Sequence, residues 1–287
     1  MEFWSKYKRN KAGIIGLVFI VAFFMLSLLA SYLSPYGPFG IGSEPLLSPN
    51  VLAGHAMGTD NLGRDVFSGF INGGRVSITI GVLAALGSTA IGITVGSIAG
   101  YYRGILDSIL MRITEFFQIL PSFLLALVLI AILEPSFFNV ILVIVVASWP
   151  YTARIIRAEF LSLREREFVF SAIAEGRSNR AIIFYEILPN AIAPAIIIAS
   201  FIVADAILIE TGLSFIGLGD QNLMSWGNMI RNSVEYMREA WWMTVFPGIA
   251  VVSTALAFNL IAFALNDVLN PRLTGWSKKE EHMDSRL

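Results

Sequence analysis

Six apolar runs, each long enough to cross a lipid bilayer, restrict what this chain can fold into. A transmembrane helix needs about 20 mostly apolar residues to cross a hydrocarbon core of about 30 Å. The runs cover residues 13–33, 76–100, 113–133, 137–156, 191–212 and 243–265. Hydrophobic residues make up 56% of the 287 residues and charged residues only 14%, whereas soluble proteins carry about 25% charged residues. The sequence predicts an all-α integral membrane protein with six transmembrane helices.

The basic residues predict how these spans are oriented. Lysine and arginine accumulate in cytoplasmic loops. With the N-terminus inside, four of the 20 basic residues fall outside, namely Arg64, Arg75, Arg231 and Arg238. The first run is too long for a signal peptide and lacks a small-residue cleavage site, so we interpret it as an uncleaved span. Six spans return the chain to its starting side, and both termini are therefore predicted to be cytoplasmic.

The residue types that are missing exclude several kinds of chemistry. Cysteine is absent and the two histidines are His55 and His282, so disulfide scaffolds and Cys/His metal clusters are excluded. No lysine follows a glycine, so the chain has no phosphate-binding G-x-x-x-x-G-K-[ST] loop. The near balance of 20 basic and 21 acidic residues does not favour nucleic-acid binding. We expect no catalytic residue, metal or cofactor, and we interpret His55 as a solvated loop residue.

Two outer loops separate the spans and are long enough to face a soluble partner. The first, residues 34–75, begins rich in proline and glycine, and its second half predicts a short interfacial helix. Asp60 is the predicted N-cap of this helix, and the apolar residues at helical spacing are Leu62, Val66, Phe67 and Phe70. The second loop carries aromatic residues of the kind that settle at the headgroup level, namely Trp226, Tyr236, Trp241 and Trp242.

The cytoplasmic segment at residues 158–190 is too polar to span a membrane and too rich in helix formers to be a disordered linker. An amphipathic helix over residues 165–175 would end at Gly176, a natural C-cap. It would place Phe168, Ala172 and Glu175 near one face, with Ser171 beside them. Periodicity leaves two interpretations open, a helix resting on the membrane surface and a docking element for another protein.

Charged residues inside the spans are few. Inserting a charged side chain near the centre of a transmembrane helix costs about 2.5–3.5 kcal/mol of free energy. Because they are so unfavourable, such residues by default indicate a pathway for ions or polar substrates. Asp205 lies deep in the fifth run and Glu210 nearer its outer end. A structural hydrogen bond to a neighbouring helix is the competing interpretation. A self-powered secondary carrier would rely on these charges, although the two halves of the chain show no convincing internal repeat.

Small residues recur at every fourth position of the second run. They are Ala84, Ser88, Gly92, Gly96 and Gly100, which form one stripe along a helix. Such stripes let helix backbones approach closely. The contact predicted here is either within this chain or with a partner chain.

Residues 167–190, EFVFSAIAEGRSNRAIIFYEILPN, resemble the EAA loop of ABC transporter permease subunits. In that loop an alanine-rich helix, a glycine and, thirteen residues later, a Leu-Pro pair form the docking site for the ATPase. Gly176 and Pro189 have this separation, and Ala172 and Leu188 also match. The pattern departs at Phe170, which stands in place of the glutamate, at Ser171 in place of the first alanine, and at Glu186 in place of an isoleucine.

The resemblance extends over nearly the whole chain and narrows to the C-type subunit of the dipeptide, oligopeptide and nickel permeases. The N-terminal residues Phe3-Trp4 and Lys8-Arg9-Asn10-Lys11 are similar to the start of that subunit. GTDNLGRDV at residues 58–66 and LSFIGLG at 213–219, followed by SWGNM at 225–229, are similar to its outer-loop signatures. FNLIAFALNDVLNPRL at residues 258–273 is similar to its closing motif.

The resemblance implies a type I ABC importer permease fold and a subunit without enzymatic activity. The implied partners are a homologous second permease, two cytosolic ATP-binding subunits, an extracytoplasmic solute-binding protein and the lipid membrane. Peptides are the expected substrate, with a nickel complex or an oligosaccharide as alternatives and an ion-coupled secondary transporter as the competing class. The implied ATPase-coupling residues are Glu167, Phe168, Phe170, Ser171, Ala172, Glu175, Gly176, Leu188 and Pro189, and the expected pathway residues are Asp205 and Glu210.

The expected organisation follows from these assignments. Residues 1–12 form a cytoplasmic segment and residues 13–33 the first span. Residues 34–75 form the outer loop. Residues 76–273 form a five-helix core that includes the coupling loop at 158–190. Residues 274–287 form a cytoplasmic tail.

Overall fold

The computed structural model describes residues 2–34, 36–51 and 54–269. Over these ranges the chain is helical, with isolated β-bridges in the first outer loop and no β-strand. The last residues of the closing motif, 270–273, and the predicted tail, 274–287, lie outside the described residues. The helices are α1 (Glu2–Tyr7), α2 (Lys11–Leu28), α3 (Ala30–Leu33), α4 (Val66–Tyr102), α5 (Gly104–Gln118), α6 (Ser122–Ile132), α7 (Phe137–Leu163), α8 (Glu167–Ala174), α9 (Asn179–Ala181), α10 (Leu188–Phe215), α11 (Trp226–Ser233) and α12 (Trp242–Leu269).

The apolar runs correspond to long helices, which confirms the all-α membrane fold. Within the described ranges, five helical segments are long and apolar enough to cross a membrane: α2, α4, α7, α12 and the segment Asn179–Phe215 that contains α10. A sixth span is obtained when α5 and α6 are counted together. Helices α4 and α7 extend well beyond the predicted runs, because α4 begins and α7 ends in a more polar segment outside the apolar stretch. Helices α10 and α12 exceed their runs by only a few residues at either end.

The third predicted span, residues 113–133, is not one straight helix. Helices α5 and α6 meet at an angle of 84° across a short break. Pro121 occupies the position before α6, with φ −53° and ψ 139°. Proline has no N–H to donate, and its ring disfavours helical geometry at the preceding residue, Leu120. Pro121 is the sequence signal that would have located this break.

The predicted interfacial helix does not exist as a separate element. The helix begins at Val66 and runs without interruption into the second span, so that α4 has 37 residues. Its N-cap is Asp65, whose carboxylate accepts a hydrogen bond from the Ser68 N–H at 2.8 Å. The predicted cap, Asp60, instead accepts from the N–H groups of Leu62 and Arg64 within the loop.

The small-residue stripe of α4 lies against α7 of the same chain. A Cβ added to Gly92 would lie 2.4 Å from Thr152 Cβ, and one added to Gly96 would lie 2.5 Å from the Ala153 carbonyl oxygen. Backbones this close leave no room for a side chain, because helix packing in a membrane depends on van der Waals contact. The structure therefore selects packing within the chain.

Two tryptophans of the second outer loop are buried and join the outer loops to the helices. Trp226 is fully buried, and its indole N–H donates to the Phe70 carbonyl at 3.0 Å. Trp242 donates in the same way to the Thr59 carbonyl at 3.1 Å. These two side chains therefore pack inside the protein, whereas Trp241 is 51% exposed. The indole N–H groups find partners because a buried donor without one is unfavourable.

Candidate functional site

A polar cavity of about 660 Å³ opens where the α5–α6 break lies beside α7 and α10. Its walls combine polar side chains with aromatic and aliphatic ones. The lining residues are Phe117, Gln118, Leu120, Pro121, Ser122, Ala147, Ser148, Pro150, Tyr151, Arg154, Phe201, Ile202 and Asp205. Gln118 ends α5 and Ser122 begins α6, so both lie at the break, and Pro150 inside α7 lines the same cavity. The volume lies in the range typical of small-molecule sites.

Asp205, one of the two residues expected in a pathway, lines this cavity. Its side chain is exposed on α10, and Arg154 and Tyr151 are exposed on the facing α7. The Arg154 guanidinium donates to the Gln118 side-chain oxygen at 3.0 Å. A carboxylate or guanidinium directed into lipid would be strongly unfavourable. This side of the molecule therefore requires water, polar substrate or protein over it.

Glu210, the second predicted pathway residue, lies elsewhere. It is 1% exposed, and its carboxylate accepts hydrogen bonds from Ser77 at 2.9 Å and Ser214 at 2.7 Å. Ser77 also accepts from the Trp226 backbone N–H at 3.4 Å. Glu210 thus joins α4, α10 and the start of α11. The geometry matches the structural alternative that the sequence left open, and Glu210 does not line the cavity.

The predicted coupling residues meet at one end of the helix bundle. Helix α8 covers residues 167–174, slightly shorter than predicted. Its buried side chains are Val169 and Ala172, which pack into a cluster with Ile156 and Phe160 of α7. Burying a valine side chain contributes about 1.5–3 kcal/mol. Of the three residues predicted to share a face, Ala172 is buried, whereas Phe168 and Glu175 are exposed.

Exposed residues of α8 and of the segment behind it form an apolar surface, which we name the docking surface after its expected role. Its residues are Phe168, Phe170, Ile173, Phe184 and Tyr185. Phe170 is 57% exposed and Tyr185 is 77% exposed. Behind α8 the chain forms a π-helical stretch, Ile182–Ile187, that runs into α10 at Leu188. Pro189 occupies the first turn of α10, where its missing N–H is tolerated. The Leu-Pro pair thus joins the docking surface to the membrane helix.

Gly176 ends α8 as predicted. Its φ is +76°, a left-handed conformation that L side chains disfavour. The Gly176 N–H donates to the Ile173 carbonyl at 2.9 Å, and the Arg177 N–H donates to the Ala172 carbonyl at 3.1 Å. These two bonds form a Schellman motif. A Cβ added to Gly176 would meet nothing within 4 Å, so the requirement for glycine here is conformational rather than steric.

An arginine between two carboxylates stabilises the turn after α8. Arg177 forms ion pairs with Glu175 at 3.0 Å and with Glu186. Tyr101, at the end of α4, donates from its hydroxyl to the Asn179 side-chain oxygen at 2.8 Å. Glu186, which departs from the EAA pattern, thus pairs with Arg177 in this chain, a contact that the sequence pattern did not indicate.

A second ion pair connects α7 to α5 near the same end. Arg157 donates to both carboxylate oxygens of Asp107, at 2.5 Å and 2.6 Å. Bidentate pairs of this kind are among the stronger hydrogen-bonded contacts. Asp107 lies in the first turn of α5, whose other end lines the cavity. The pair therefore joins the helix that carries α8 to the helix that shapes the cavity.

His55 is a residue whose role the sequence analysis missed. It is 5% exposed rather than solvated. One ring nitrogen lies 2.9 Å from the Asp65 carboxylate, and the other lies 2.7 Å from the Ser43 hydroxyl. Asp65 also caps α4, so His55 connects the first outer loop to the start of the long helix. The spacing of His55 and Asp65 in the sequence carried no signal for this contact, because the intervening loop has no regular structure.

These features define a multi-pass membrane protein with a cavity between its helices and an exposed apolar surface at one end. Comparison with known proteins specifies its family. Residues 92–275 match the family described as binding-protein-dependent transport system inner membrane component. Residues 1–49 match the N-terminal transmembrane domain of oligopeptide transport permease C. The chain belongs to the family of binding-protein-dependent transport system inner membrane components.

Curated relatives align over nearly their whole length. The dipeptide transport system permease protein DppC of Alkalihalophilus pseudofirmus is 38% identical over 275 residues, which cover 95% of this chain and 90% of the relative. The protein of the same name from Haemophilus influenzae is 36% identical over 278 residues, covering 95% and 94%. The one from Escherichia coli K12 is 38% identical over 278 residues, covering 95% and 93%.

Proposed function

We propose that this chain forms half of the pathway through which an ATP-driven importer moves peptides across the cell membrane. The observation that carries the proposal is the cavity, which is open on one side and lined by the exposed charged side chains of Asp205 and Arg154. Covering these charges with lipid would be strongly unfavourable. The relatives are named as dipeptide permeases, which favours peptides over nickel complexes or oligosaccharides. Membership of a binding-protein-dependent family argues against an ion-coupled secondary transporter.

The chemistry of the cavity suits a short peptide. A peptide carries an ammonium group, a carboxylate and several amide groups, and the cavity supplies a carboxylate at Asp205, a guanidinium at Arg154 and neutral donors and acceptors at Gln118 and Ser148. Aromatic rings such as Phe117 line the same space. A site with both charges and apolar walls accepts peptides of different side chains with little selectivity. Selectivity is then left to the solute-binding protein.

A homologous second permease covers the open side of the cavity. The exposed charges of Asp205 and Arg154 need an aqueous or protein environment. Two such subunits would enclose one pathway between them. The exposed polar and aromatic residues around the opening, including Tyr151, which is 54% exposed, would then contact the partner or the transported peptide.

The importer has two cytosolic ATP-binding subunits, and one of them docks on the coupling segment of this chain. The other docks on the second permease. The exposed phenylalanines of α8 would insert into the ATPase, while Val169 and Ala172 hold α8 on the bundle. The residues that couple this chain to the ATPase, by direct contact or by positioning α8, are Glu167, Phe168, Phe170, Ser171, Ala172, Glu175, Gly176, Leu188 and Pro189. The subunit carries out no chemistry of its own, since ATP hydrolysis takes place in the ATPases.

Movement reaches the cavity through the contacts of α7. When ATP binding closes the ATPases, α8 moves. Helix α7 moves with it as one rigid body, because the buried face of α8 packs on Ile156 and Phe160 of α7. The bidentate Arg157–Asp107 pair then requires α5 to follow. Since α5 and the break after it form one wall of the cavity, this motion switches the access of the cavity between the two sides of the membrane.

The experiment that tests this function is transport in proteoliposomes. The chain is reconstituted with its partner permease, its ATPases and its solute-binding protein, and uptake of a labelled dipeptide is measured. We expect uptake that requires ATP and all components. Phe170→Ser should abolish ATPase co-purification and uptake, whereas Phe138→Ser, which changes a phenylalanine 78% exposed at the far end of α7, should leave both unchanged. Uptake by the chain alone on an ion gradient would contradict the proposal.

We also propose that both termini and the coupling segment face the cytoplasm, from the distribution of basic residues. Single cysteines at Ser48, in the first outer loop, and at Ser162, near the end of α7, test this, because both side chains are exposed. An impermeant thiol reagent on intact cells should label the first and not the second. The reverse pattern would refute both the orientation and the docking of cytosolic ATPases.

A further inference from the structure

A groove lined by basic side chains lies between the N-terminal segment and the end of α12. Lys6, Arg9 and Asn10 form one wall, Asp267 and Val268 form the other, and the space between them is about 300 Å³. We infer that this groove binds the phosphate of an anionic phospholipid. The inference is independent of the proposed transport function.

The wall that carries Lys6 and Arg9 is held in place by the fold. Tyr7 lies between them, is 3% exposed, and donates from its hydroxyl to the Gly13 carbonyl at 3.1 Å. Helix α2 then approaches α12 very closely, since a Cβ on Gly13 would lie 2.2 Å from Ala264 Cβ. The two walls of the groove are thus brought together by helix packing, and the cations are not on a free tail.

The charge in the groove favours an anion. Lys6 and Arg9 are exposed, and the structure gives neither an ion pair with an Asp or Glu among the residues that it describes. The acidic residue of the groove, Asp267, accepts a hydrogen bond from the Asn10 side-chain amide at 2.8 Å. Lys8 and Lys11 do not line the groove, but they lie close to Lys6 and Arg9 in the chain and add positive charge near it.

The depth of the groove identifies a lipid as the source of the phosphate. The first span begins at Lys11, so residues 6–10 lie at the membrane boundary. Trp4 is 50% exposed, stacks on Tyr7 at 5.8 Å and lies 5.6 Å from the Lys8 ammonium. Exposed tryptophan is typical of the headgroup level, and basic pockets between transmembrane helices at this level bind anionic headgroups.

The test is lipid binding to the purified full-length chain, measured by native mass spectrometry. Phosphatidylglycerol, phosphatidylcholine and phosphatidylethanolamine are titrated separately, and inorganic phosphate is added as a competitor. We expect the wild-type chain to bind phosphatidylglycerol about tenfold more tightly than either zwitterionic lipid, with little competition from millimolar phosphate. Equal binding of the three lipids would overturn the inference. Full displacement by phosphate would also overturn it, since the site would then take a free anion.

Two double variants separate a site from general attraction. Lys6→Gln with Arg9→Gln removes two charges from the groove, and Lys8→Gln with Lys11→Gln removes two neighbouring charges that do not line it. The first pair should weaken phosphatidylglycerol binding about tenfold, and the second should change it much less. Equal losses in the two would overturn the inference.

A third variant predicts a gain, which misfolding cannot imitate. Asp267→Asn removes the carboxylate from the groove and keeps an acceptor for Asn10. Phosphatidylglycerol binding should become severalfold tighter because a repulsive charge is lost. Unchanged or weaker binding would show that the headgroup does not lie beside Asp267, and the assigned groove would be wrong.

Discussion

Replacing Gly176 should uncouple the permease from its ATPase without affecting membrane insertion. Gly176 holds φ at +76°, and an L side chain in the left-handed region raises the free energy by about 1–2 kcal/mol. A β-branched residue is still less tolerant. Because an added Cβ would meet nothing within 4 Å, no steric clash adds to this conformational strain. The strain acts on the turn after α8 alone.

The chain can relieve this strain by leaving the left-handed conformation, which breaks the Schellman motif. The two hydrogen bonds to the Ala172 and Ile173 carbonyls would be lost, and each contributes about 0.5–1.5 kcal/mol. A strain of about 2 kcal/mol in Gly176→Val changes the equilibrium between the native and the misdirected orientations of α8 by roughly 30-fold in favour of the misdirected ones. Insertion depends on spans of about 20 apolar residues and is unaffected.

A graded series of variants makes the reasoning testable. Asparagine tolerates the left-handed region better than other non-glycine residues. We therefore expect ATPase binding and uptake to decrease from the wild type to Gly176→Asn, then Gly176→Ala, and to be lowest in Gly176→Val. Membrane abundance, ATPase co-purification and dipeptide uptake are measured on the same preparations. Wild-type coupling in Gly176→Val, or an asparagine variant as defective as the valine variant, would refute the argument from backbone conformation.

Substitutions at three other positions probe the cavity, the buried carboxylate and the outer loop. Asp205→Leu should reduce uptake at least tenfold with normal assembly, and Asp205→Asn should reduce it less; normal uptake in both would remove Asp205 from the pathway. Glu210→Ala leaves two buried serine hydroxyls without their acceptor and should destabilise the protein by about 1–3 kcal/mol, seen as a lower melting temperature in detergent. His55→Ala should increase protease cleavage of the first outer loop while transport helices remain intact, and an unchanged cleavage rate would show that its hydrogen bonds to the loop are dispensable.

Local patterns predicted much of this protein because they depend on near neighbours in the chain. Runs of about 20 apolar residues located the membrane helices. Gly176 was identified as a helix end, since the C-cap requirement involves only the adjacent turn. The bend after α5 was missed although Pro121 signalled it, because an apolar run continues through the break and hydropathy does not register backbone geometry.

Features that depend on distant parts of the chain were left open or predicted wrongly. The small-residue stripe at Gly92 and Gly96 indicated a close helix contact, but its partner, α7, lies some 60 residues further on and leaves no mark on the stripe itself. His55 was interpreted as solvated because Ser43 and Asp65, its partners, are brought to it by an irregular loop.

Asp205 and Glu210 show most clearly where local sequence stops being informative. The two carboxylates lie in the same apolar helix, so composition assigns them the same expectation. Five residues apart, they point about 140° away from each other around α10. One faces the cavity and the other faces Ser77 of α4. The sequence decided that α10 crosses the membrane, because insertion depends on the composition of one segment. Which carboxylate meets water and which is hydrogen-bonded inside the protein depends on the helices packed around α10, and only the tertiary structure decides that.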